Sequence, residues 1–288
     1  MRFKLGKVFA HCQVLVIALA CVALQISAAW SGGVIGDWQN GHNFRSRLIA
    51  GTTPAGHSDI APGLPVVGLE IELAKGWKTY WRNPGDAGGV PPFVSFEGSQ
   101  NVKSAELLYP APRRLADAAG VSIGYKEHVL FPIVVTPADA SRPISLKVHI
   151  EYGVCREICI PAEATHLIEV PAGAATELPA SLSSAIASIP LRTLISGAPT
   201  IASRQDSATS IELELQFPNG AAGADLFVEA PEGAYVPLPK MLAQSGPDRV
   251  RYAITLGNEK EAAAFKGQTL QLTIVSKATS VTLPLKVK

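Results

Sequence analysis

Apolar and polar residues alternate with a period of two through most of this chain. In residues 67–73 the sequence VGLEIEL places an apolar side chain at every second position. This pattern is typical of a strand that buries one face. Turn-forming residues such as Asn83-Pro84-Gly85 separate the alternating segments, so the sequence predicts an all-β chain built as a β-sandwich. Further alternating segments are residues 129–135, 144–152, 211–217, 250–254, 270–274 and 281–287.

The N-terminal residues 1–29 have the composition of a secretory signal peptide. Basic residues precede an apolar run at 14–24, and small residues follow at 27–29. This order predicts export from the cytoplasm and a soluble chain after cleavage. Of the four cysteines in the sequence, Cys12 and Cys21 lie in this segment. Two cysteines therefore remain, in a compartment where disulfides persist.

The rest of the chain divides by its pattern into two β-domains and a linker. Residues 45–172 carry the first group of alternating segments, and residues 200–288 carry the second, smaller group. Residues 173–199 are rich in Ala and Ser, and Leu182 and Ile186 lie at helical spacing there. The sequence predicts a helical linker between a larger and a smaller β-sandwich-like domain.

Charge and the absence of known motifs exclude several function classes. Lys and Arg number 25 and Asp and Glu number 24, giving a formal net charge of +1. No basic excess is present to neutralise phosphates, so a nucleic-acid partner is not predicted. The sequence contains no nucleophile elbow, Walker loop, zincin motif or dinucleotide fingerprint. Neither a small-molecule cofactor nor a resident metal is predicted.

The two remaining cysteines, Cys155 and Cys159, are four positions apart between two strand patterns. One strand is predicted to end near Val154 and the next to begin near Ala164, which places the cysteines at the mouth of a hairpin, close enough to bridge. A disulfide across so short a loop stabilises the fold by only about 2 kcal/mol on the chain-entropy model. From spacing alone, a structural disulfide, a redox-active pair and a metal site all stay open.

Charged residues and histidines near the cysteines bear on these alternatives. Arg156 would favour a thiolate, whereas Glu157 and Glu151 would oppose it, and the sequence does not decide which charge lies nearer the sulfurs. Two thiolates with His149 or His166 could hold Cu(I). A zinc site would need four ligands in a recognisable spacing, which is absent.

Three aromatic residues, Trp77, Tyr80 and Trp81, lie within five positions of one another. One interpretation is packing in the core and at the edge of the sandwich. The other is that they wall the dithiol or dock a partner protein. The sequence leaves both open.

Three ordered motifs resemble the N-terminal periplasmic domain of DsbD-type thiol–disulfide interchange proteins, including the ScsB branch linked to copper tolerance. The motifs are the cysteine segment YGVCREICIP at 152–161, GWKTYWRNPGD at 76–86, and GYKE at 124–127 leading into VLFP at 129–132. Together they cover about residues 60–172. The resemblance favours the redox-active interpretation of the cysteine pair.

The resemblance implies an immunoglobulin-like β-sandwich that carries a dithiol in the periplasm. In that family the domain receives electrons from a membrane-embedded DsbD/CcdA-like donor. It passes them to periplasmic thioredoxin-fold proteins, such as disulfide isomerases and factors of cytochrome c biogenesis. No cofactor takes part. The function predicted for this chain is therefore that of a thiol–disulfide oxidoreductase.

Individual roles also follow from the resemblance. It implies that Cys159 is the attacking thiol and Cys155 its partner. Residues 121–125 match the position of a cap loop that shields the dithiol, with Ile123, Gly124 and the lid aromatic Tyr125. Full-length relatives continue into membrane spans and a thioredoxin-like domain, so this chain is expected to take electrons from a separate protein. The alternatives are a Cu(I)-binding copper-tolerance module and a structural adaptor with an inert disulfide.

Overall fold

A computed structural model describes residues 34–53, 59–172, 177–231 and 234–288. The predicted signal peptide lies outside these ranges. Nearly all regular structure in the described residues is β-strand, and every pairing between the named strands is antiparallel. The predicted all-β, immunoglobulin-like sandwich class is confirmed.

The first sandwich consists of two six-stranded sheets. One sheet has the order β1 (Val34–Ile35), β3 (Phe44–Thr52), β4 (Pro65–Leu73), β10 (His128–Pro137) and β7 (Val102–Leu107), with β2 (Gln39–Gly41) paired to β3. The other has the order β12 (Cys159–Val170), β11 (Ile144–Cys155), β5 (Lys78–Tyr80), β9 (Gly120–Lys126) and β8 (Arg113–Asp117), with β6 (Phe93–Ser95) paired to β11.

Alternating apolar side chains from both sheets meet in the core of this sandwich. Leu69 and Ile71 of β4, and Val148 and Ile150 of β11, are completely buried in one cluster. The alternation therefore predicted both the strands and the faces that they bury.

The helical segment closes the outer face of the first sheet. Helix α1 (Ala180–Ala187) buries Leu182 and Ile186 in a cluster that also contains Leu130 of β10. Gly68 of β4 allows this close approach, because a Cβ atom there would lie 2.9 Å from Leu182 Cδ1. A helix at the predicted position is confirmed, and it explains why β4 is buried on both faces.

The C-terminal strands form a second pair of sheets around a core of their own. A short helix, α2 (Glu259–Ala264), begins with a capping box formed by Asn258 and Glu261. The four-stranded sheet has the order β13 (Thr200–Asp206), β14 (Ser210–Gln216), β17 (Arg249–Thr255) and β16 (Lys240–Gln244), and the three-stranded sheet has the order β15 (Asp225–Glu229), β18 (Thr269–Val275) and β19 (Ser280–Lys286).

The two pairs of sheets share contacts within one compact unit that spans Gly33–Lys288. The ring of Phe227, from β15, packs against Trp81 at 5.9 Å between centroids and belongs to the core of the first sandwich. Beside it, Arg114 Nε donates to Asp225 Oδ1 at 2.9 Å. Among the described residues, no helix is long and apolar enough to cross a membrane.

Candidate functional site

The two cysteines occupy the last paired position of a long hairpin. Strands β11 and β12 have twelve residues each and pair in continuous register up to Cys155 opposite Cys159. The cysteines form a disulfide with their Cα atoms 4.1 Å apart. At the turn, the Arg156 N–H donates to the Ile158 carbonyl at 3.0 Å. The predicted position at the hairpin mouth is confirmed.

The second strand begins at Cys159, earlier than the predicted start near Ala164. Pro161, which looks like a turn signal in the sequence, lies inside β12 opposite Gly153. Proline lacks an N–H and is tolerated in a strand at the edge of a sheet, and β12 is such a strand.

The two cysteines differ in exposure. Cys155 is 1% exposed, whereas Cys159 is an exposed residue. Cys155 is covered because β5 pairs with β11 on the side away from β12, with Lys78 directly opposite Cys155. A partner protein approaching the hairpin tip therefore meets Cys159 first.

Tyr80, at the end of β5, lies against the exposed cysteine. Its hydroxyl oxygen is 3.4 Å from Cys159 Sγ. Burial raises the pKa of the Tyr80 phenol, and the negative charge of Asp117 raises it further. The hydroxyl therefore keeps its proton at neutral pH and is able to donate a hydrogen bond to a thiolate on Cys159.

The other two residues of the aromatic group pack in the core. Trp77 is 9% exposed, and Trp81 is completely buried against Phe227. The guanidinium of Arg82 lies over the Trp81 ring at 4.4 Å. Tyr80 is the one of these three aromatic residues whose polar atom lies within hydrogen-bond distance of a cysteine sulfur in the described structure.

The prediction of a cap loop at residues 121–125 is wrong in its secondary structure, because they lie within strand β9. Tyr125 is buried, its hydroxyl donates to the Pro110 carbonyl at 2.8 Å, and its ring packs edge-on against Phe131. Ile123 also lies in the core. The alternating sequence VSIGY already carried the strand signal.

Gly124 is close-packed rather than mobile. A Cβ atom at this position would lie 2.0 Å from the Thr79 carbonyl oxygen. Gly124 pairs with Tyr80 across the β5–β9 ladder, so its missing side chain allows the two strands to approach.

Comparison with known protein families supports the resemblance to DsbD-type proteins that the sequence motifs show. The profile of the family described as "Thiol:disulfide interchange protein DsbD, N-terminal" matches residues 54–171, which contain the hairpin, Tyr80 and β9. Residues 54–171 therefore have the sequence signature of a DsbD N-terminal domain. The resemblance seen in the sequence motifs is thereby confirmed.

Solved structures show how far the fold of the DsbD N-terminal domain extends here. The crystal structure of the N-terminal periplasmic domain of ScsB from Proteus mirabilis aligns with a TM-score of 0.67 and 22% identity, over 89% of this chain and 99% of that one. The shared fold therefore includes the second pair of sheets. A marsupial T cell receptor aligns over 87% of this chain and 99% of that one at 7% identity, with a TM-score of 0.23, which is too low to indicate a shared fold. No curated protein sequence matches significantly.

At the hairpin tip of this DsbD N-terminal domain, the charged residues neutralise each other. Arg156 and Glu157, proposed from the sequence to tune the thiolate, lie 3.5 Å apart as an exposed ion pair. Glu151 accepts from His149 at 3.2 Å, farther down β11. Neither sign of charge dominates the tip.

The two histidines considered as Cu(I) ligands, His149 and His166, lie on the hairpin strands away from its tip. His149 is six residues before Cys155 on the same strand, which corresponds to about 20 Å. His166 is buried and bonds to Ser46 Oγ at 2.9 Å. Among the described residues, no group of three or more His, Cys, Asp or Glu could hold a metal ion. Neither His149 nor His166 is therefore placed to hold a metal ion together with the two cysteines.

Sequence analysis missed a buried charged group beside the dithiol of the DsbD N-terminal domain. Lys78 Nζ lies 2.5 Å from Asp117 Oδ2 and 2.8 Å from Ser122 Oγ. Only 11% of the Lys78 side chain is exposed. Asp117 follows Lys78 by 39 positions, so no local sequence pattern links the two residues. The position of Lys78 between aromatic residues was the one local indication of a buried lysine.

Proposed function

We propose that this chain exchanges its Cys155–Cys159 disulfide with the dithiols and disulfides of partner proteins in the periplasm. The observation that carries the proposal is the unequal exposure of two paired cysteines at a hairpin tip within a DsbD N-terminal domain. Exchange requires one accessible sulfur that attacks and a second sulfur within bonding distance that resolves the mixed disulfide.

In the reductive direction the reaction uses the dithiol form. The Cys159 thiolate attacks one sulfur of a partner disulfide, so a bond forms between the proteins and the other partner sulfur leaves as a thiolate. Cys155 loses its proton and attacks Cys159, which releases the first partner sulfur. This chain has then lost two electrons and two protons, and the partner has gained them as a dithiol. No other reactant takes part.

The geometry supports Cys159 as the attacking sulfur and Cys155 as the resolving one. Cys159 is exposed at the tip, whereas Cys155 is covered by β5. We assign the shielding role expected of Tyr125 to Tyr80, since the Tyr80 hydroxyl contacts the Cys159 sulfur. Arg156 and Glu157, paired with each other, are proposed to contribute little net charge.

The proposed partners and organisation follow from the family. A membrane-embedded DsbD/CcdA-like protein would supply electrons, and periplasmic thioredoxin-fold proteins would receive them. The related ScsB domain is periplasmic, which supports the same location after removal of residues 1–29. We propose residues 45–172 as the redox domain, 173–199 as its helical linker and 200–288 as a second β-domain.

Trapping of mixed disulfides tests this function directly. In Cys155→Ala the exposed Cys159 remains without its resolving partner, so covalent adducts with periplasmic proteins should accumulate. In Cys159→Ala the remaining cysteine is buried, and few adducts should form. Non-reducing gels and mass spectrometry of material captured from the periplasm provide the readout.

The reduction potential of the wild-type disulfide provides the second measurement. A value above about −300 mV suits exchange, whereas a lower value suits an inert structural bond. Absence of adducts from both variants, together with a potential below that limit, would contradict the proposed function and favour the structural adaptor.

A further inference from the structure

A buried lysine lies in the strand next to the dithiol. In the β5–β11 ladder Lys78 is directly opposite Cys155. Residues that face each other across a ladder project from the same face of the sheet, as do residues two apart on one strand. Lys78, Cys155 and Tyr80 therefore share one face.

The lysine is held in place from the neighbouring β-hairpin formed by β8 and β9. Asp117, the last residue of β8, and Ser122 of β9 both bind the Lys78 ammonium. Ser122 Oγ donates its own hydrogen to the Leu115 carbonyl at 3.3 Å, so its lone pairs are available to Lys78. Asp117 is fixed in turn by the Ala119 N–H, which donates to Asp117 Oδ1 at 2.9 Å.

The ammonium group also lies beside the aromatic ring that contacts the exposed sulfur. Lys78 Nζ is 5.7 Å from the centroid of the Tyr80 ring, within the range of a cation–π contact. The Tyr80 hydroxyl continues this line of contacts to Cys159 Sγ. Burying a lysine is costly, and an apolar side chain often stabilises such a position equally well. The stability of the fold alone therefore does not explain why a charged side chain occupies position 78.

We propose that Lys78 is a positioning residue for dithiol exchange: its ammonium group, held by Asp117 and Ser122, fixes the Tyr80 ring and favours the thiolate form of Cys159. Asp117 has two opposing effects, since it holds the lysine in place and offsets its positive charge. This inference rests on the proposed function, because a stabilised thiolate matters only if Cys159 exchanges.

Other charged groups surround this arrangement. Lys126 of β9 pairs with Lys78 across the ladder and is exposed to solvent. On the hairpin, Arg156 and Glu157 form their own ion pair. Removal of the Lys78 charge should therefore change the electrostatic potential at Cys159 more than removal of one of the exposed charges would. Water screens a buried charge less than an exposed one.

The test compares two variants that break the same ion pair but change the charge in opposite directions. Lys78→Met removes the cation, and Asp117→Asn leaves it without its anion. In the reduced full-length chain, the rate of Cys159 alkylation by iodoacetamide is measured from pH 5 to 10 by mass spectrometry of the Cys159 peptide. The midpoint of this profile is the pKa of the Cys159 thiol.

Opposite shifts are expected. Lys78→Met should raise the Cys159 pKa and slow alkylation at neutral pH by about three- to tenfold, whereas Asp117→Asn should lower the pKa. Lys78→Arg, which keeps the charge, should retain the wild-type profile within about twofold. A merely structural role predicts that Lys78→Met and Asp117→Asn shift the profile in the same direction or leave it unchanged, and either result overturns the proposal.

These measurements do not depend on the proposed function. The Cys159 profile is obtained on chemically reduced protein, whether or not the disulfide opens in the cell. Should Lys78→Met fail to fold, Asp117→Asn and Lys78→Arg still decide the outcome: an unchanged or raised pKa in Asp117→Asn, or an altered profile in Lys78→Arg, contradicts the role of Lys78. Failure of the trapping experiment alone would instead contradict the exchange function.

Discussion

The hydroxyl oxygen of Tyr80 lies 3.4 Å from Sγ of Cys159, so the more exposed cysteine of the pair has a neighbouring hydrogen-bond donor from another strand. The contact joins residues 79 positions apart. The contact favours Tyr80 for the proposed shielding role, among three aromatic residues that the sequence did not distinguish.

The substitution Tyr80→Phe should destabilise the Cys159 thiolate without disturbing the packing around it. The ring remains, so packing is kept, but the donor to a charged sulfur is lost. Such bonds contribute about 1.5–3 kcal/mol when the partner is charged, so the Cys159 pKa should rise and alkylation at neutral pH should slow by about ten- to a hundredfold. Tyr125→Phe is the matched control, because its hydroxyl binds the Pro110 carbonyl. Equal alkylation rates in Tyr80→Phe and the wild type would refute the donor role.

The substitution Gly124→Ala tests whether residues 121–125 form a strand or a mobile loop. The added Cβ would approach the Thr79 carbonyl oxygen to 2.0 Å, so β5 and β9 must separate. Overpacking of this kind costs about 1–3 kcal/mol, measurable as a lower midpoint of urea unfolding. A loop residue would accept alanine with no loss, and an unchanged midpoint would favour the cap-loop interpretation.

Arg114→Met should destabilise the fold through the contact between the two pairs of sheets. Arg114 binds Asp225 and the carbonyls of Leu226 and Pro239. Burial raises the pKa of Asp225 although Arg114 lowers it, so this carboxylate is costly without its partner. Because both side chains are about a quarter exposed, we expect a loss of about 1–3 kcal/mol in urea unfolding.

The exposed ion pair of Arg192 and Glu106 provides the control for that measurement. Its side chains are 67% and 58% exposed, so Arg192→Met should change stability by less than about 0.5 kcal/mol. Similar losses of stability in both variants would show that the contact between the two pairs of sheets contributes no more than an exposed ion pair does.

His166 should make stability depend on pH. Burial lowers its pKa in the folded chain below the ordinary value of about 6.5, so the unfolded chain binds the proton more tightly. Its contribution is complete above about pH 6.5 and is lost as the pH falls toward the folded pKa. His166→Gln should therefore reduce the fall in thermal midpoint between pH 7 and pH 5. His42→Gln, at an exposed position, should leave that fall unchanged.

The sequence predicted those parts of the fold that depend on local pattern. Alternation located the long strands, and the apolar spacing of Leu182 and Ile186 located helix α1. The hairpin was predictable because β11 and β12 are adjacent in the chain. In contrast, β5 has only three residues and pairs with strands far along the chain, so neither its presence nor its neighbours have a local signal.

The same limit applies to the candidate site. The cysteines were recognisable from their spacing, but the selection of Tyr80 over Trp77 and Trp81 depends on the pairing of β5. The ion pair of Lys78 and Asp117 joins residues 39 positions apart in the sequence, and that of Arg114 and Asp225 joins residues 111 positions apart. Contacts of this kind are determined by the assembled sheets and have no counterpart in any short window of sequence.

The direct opposition of Cys155 and Cys159 in the backbone ladder has a kinetic consequence. Eleven further residue pairs join β11 and β12, so we expect the ladder to keep the two cysteines side by side after the disulfide is reduced. Each thiol therefore experiences the other at a very high effective concentration, and ring closure needs little further ordering of the chain. In the proposed exchange, a covalent complex through Cys159 would be released by Cys155 of the same chain, so its lifetime would be set within this protein and not by collision with a second reductant.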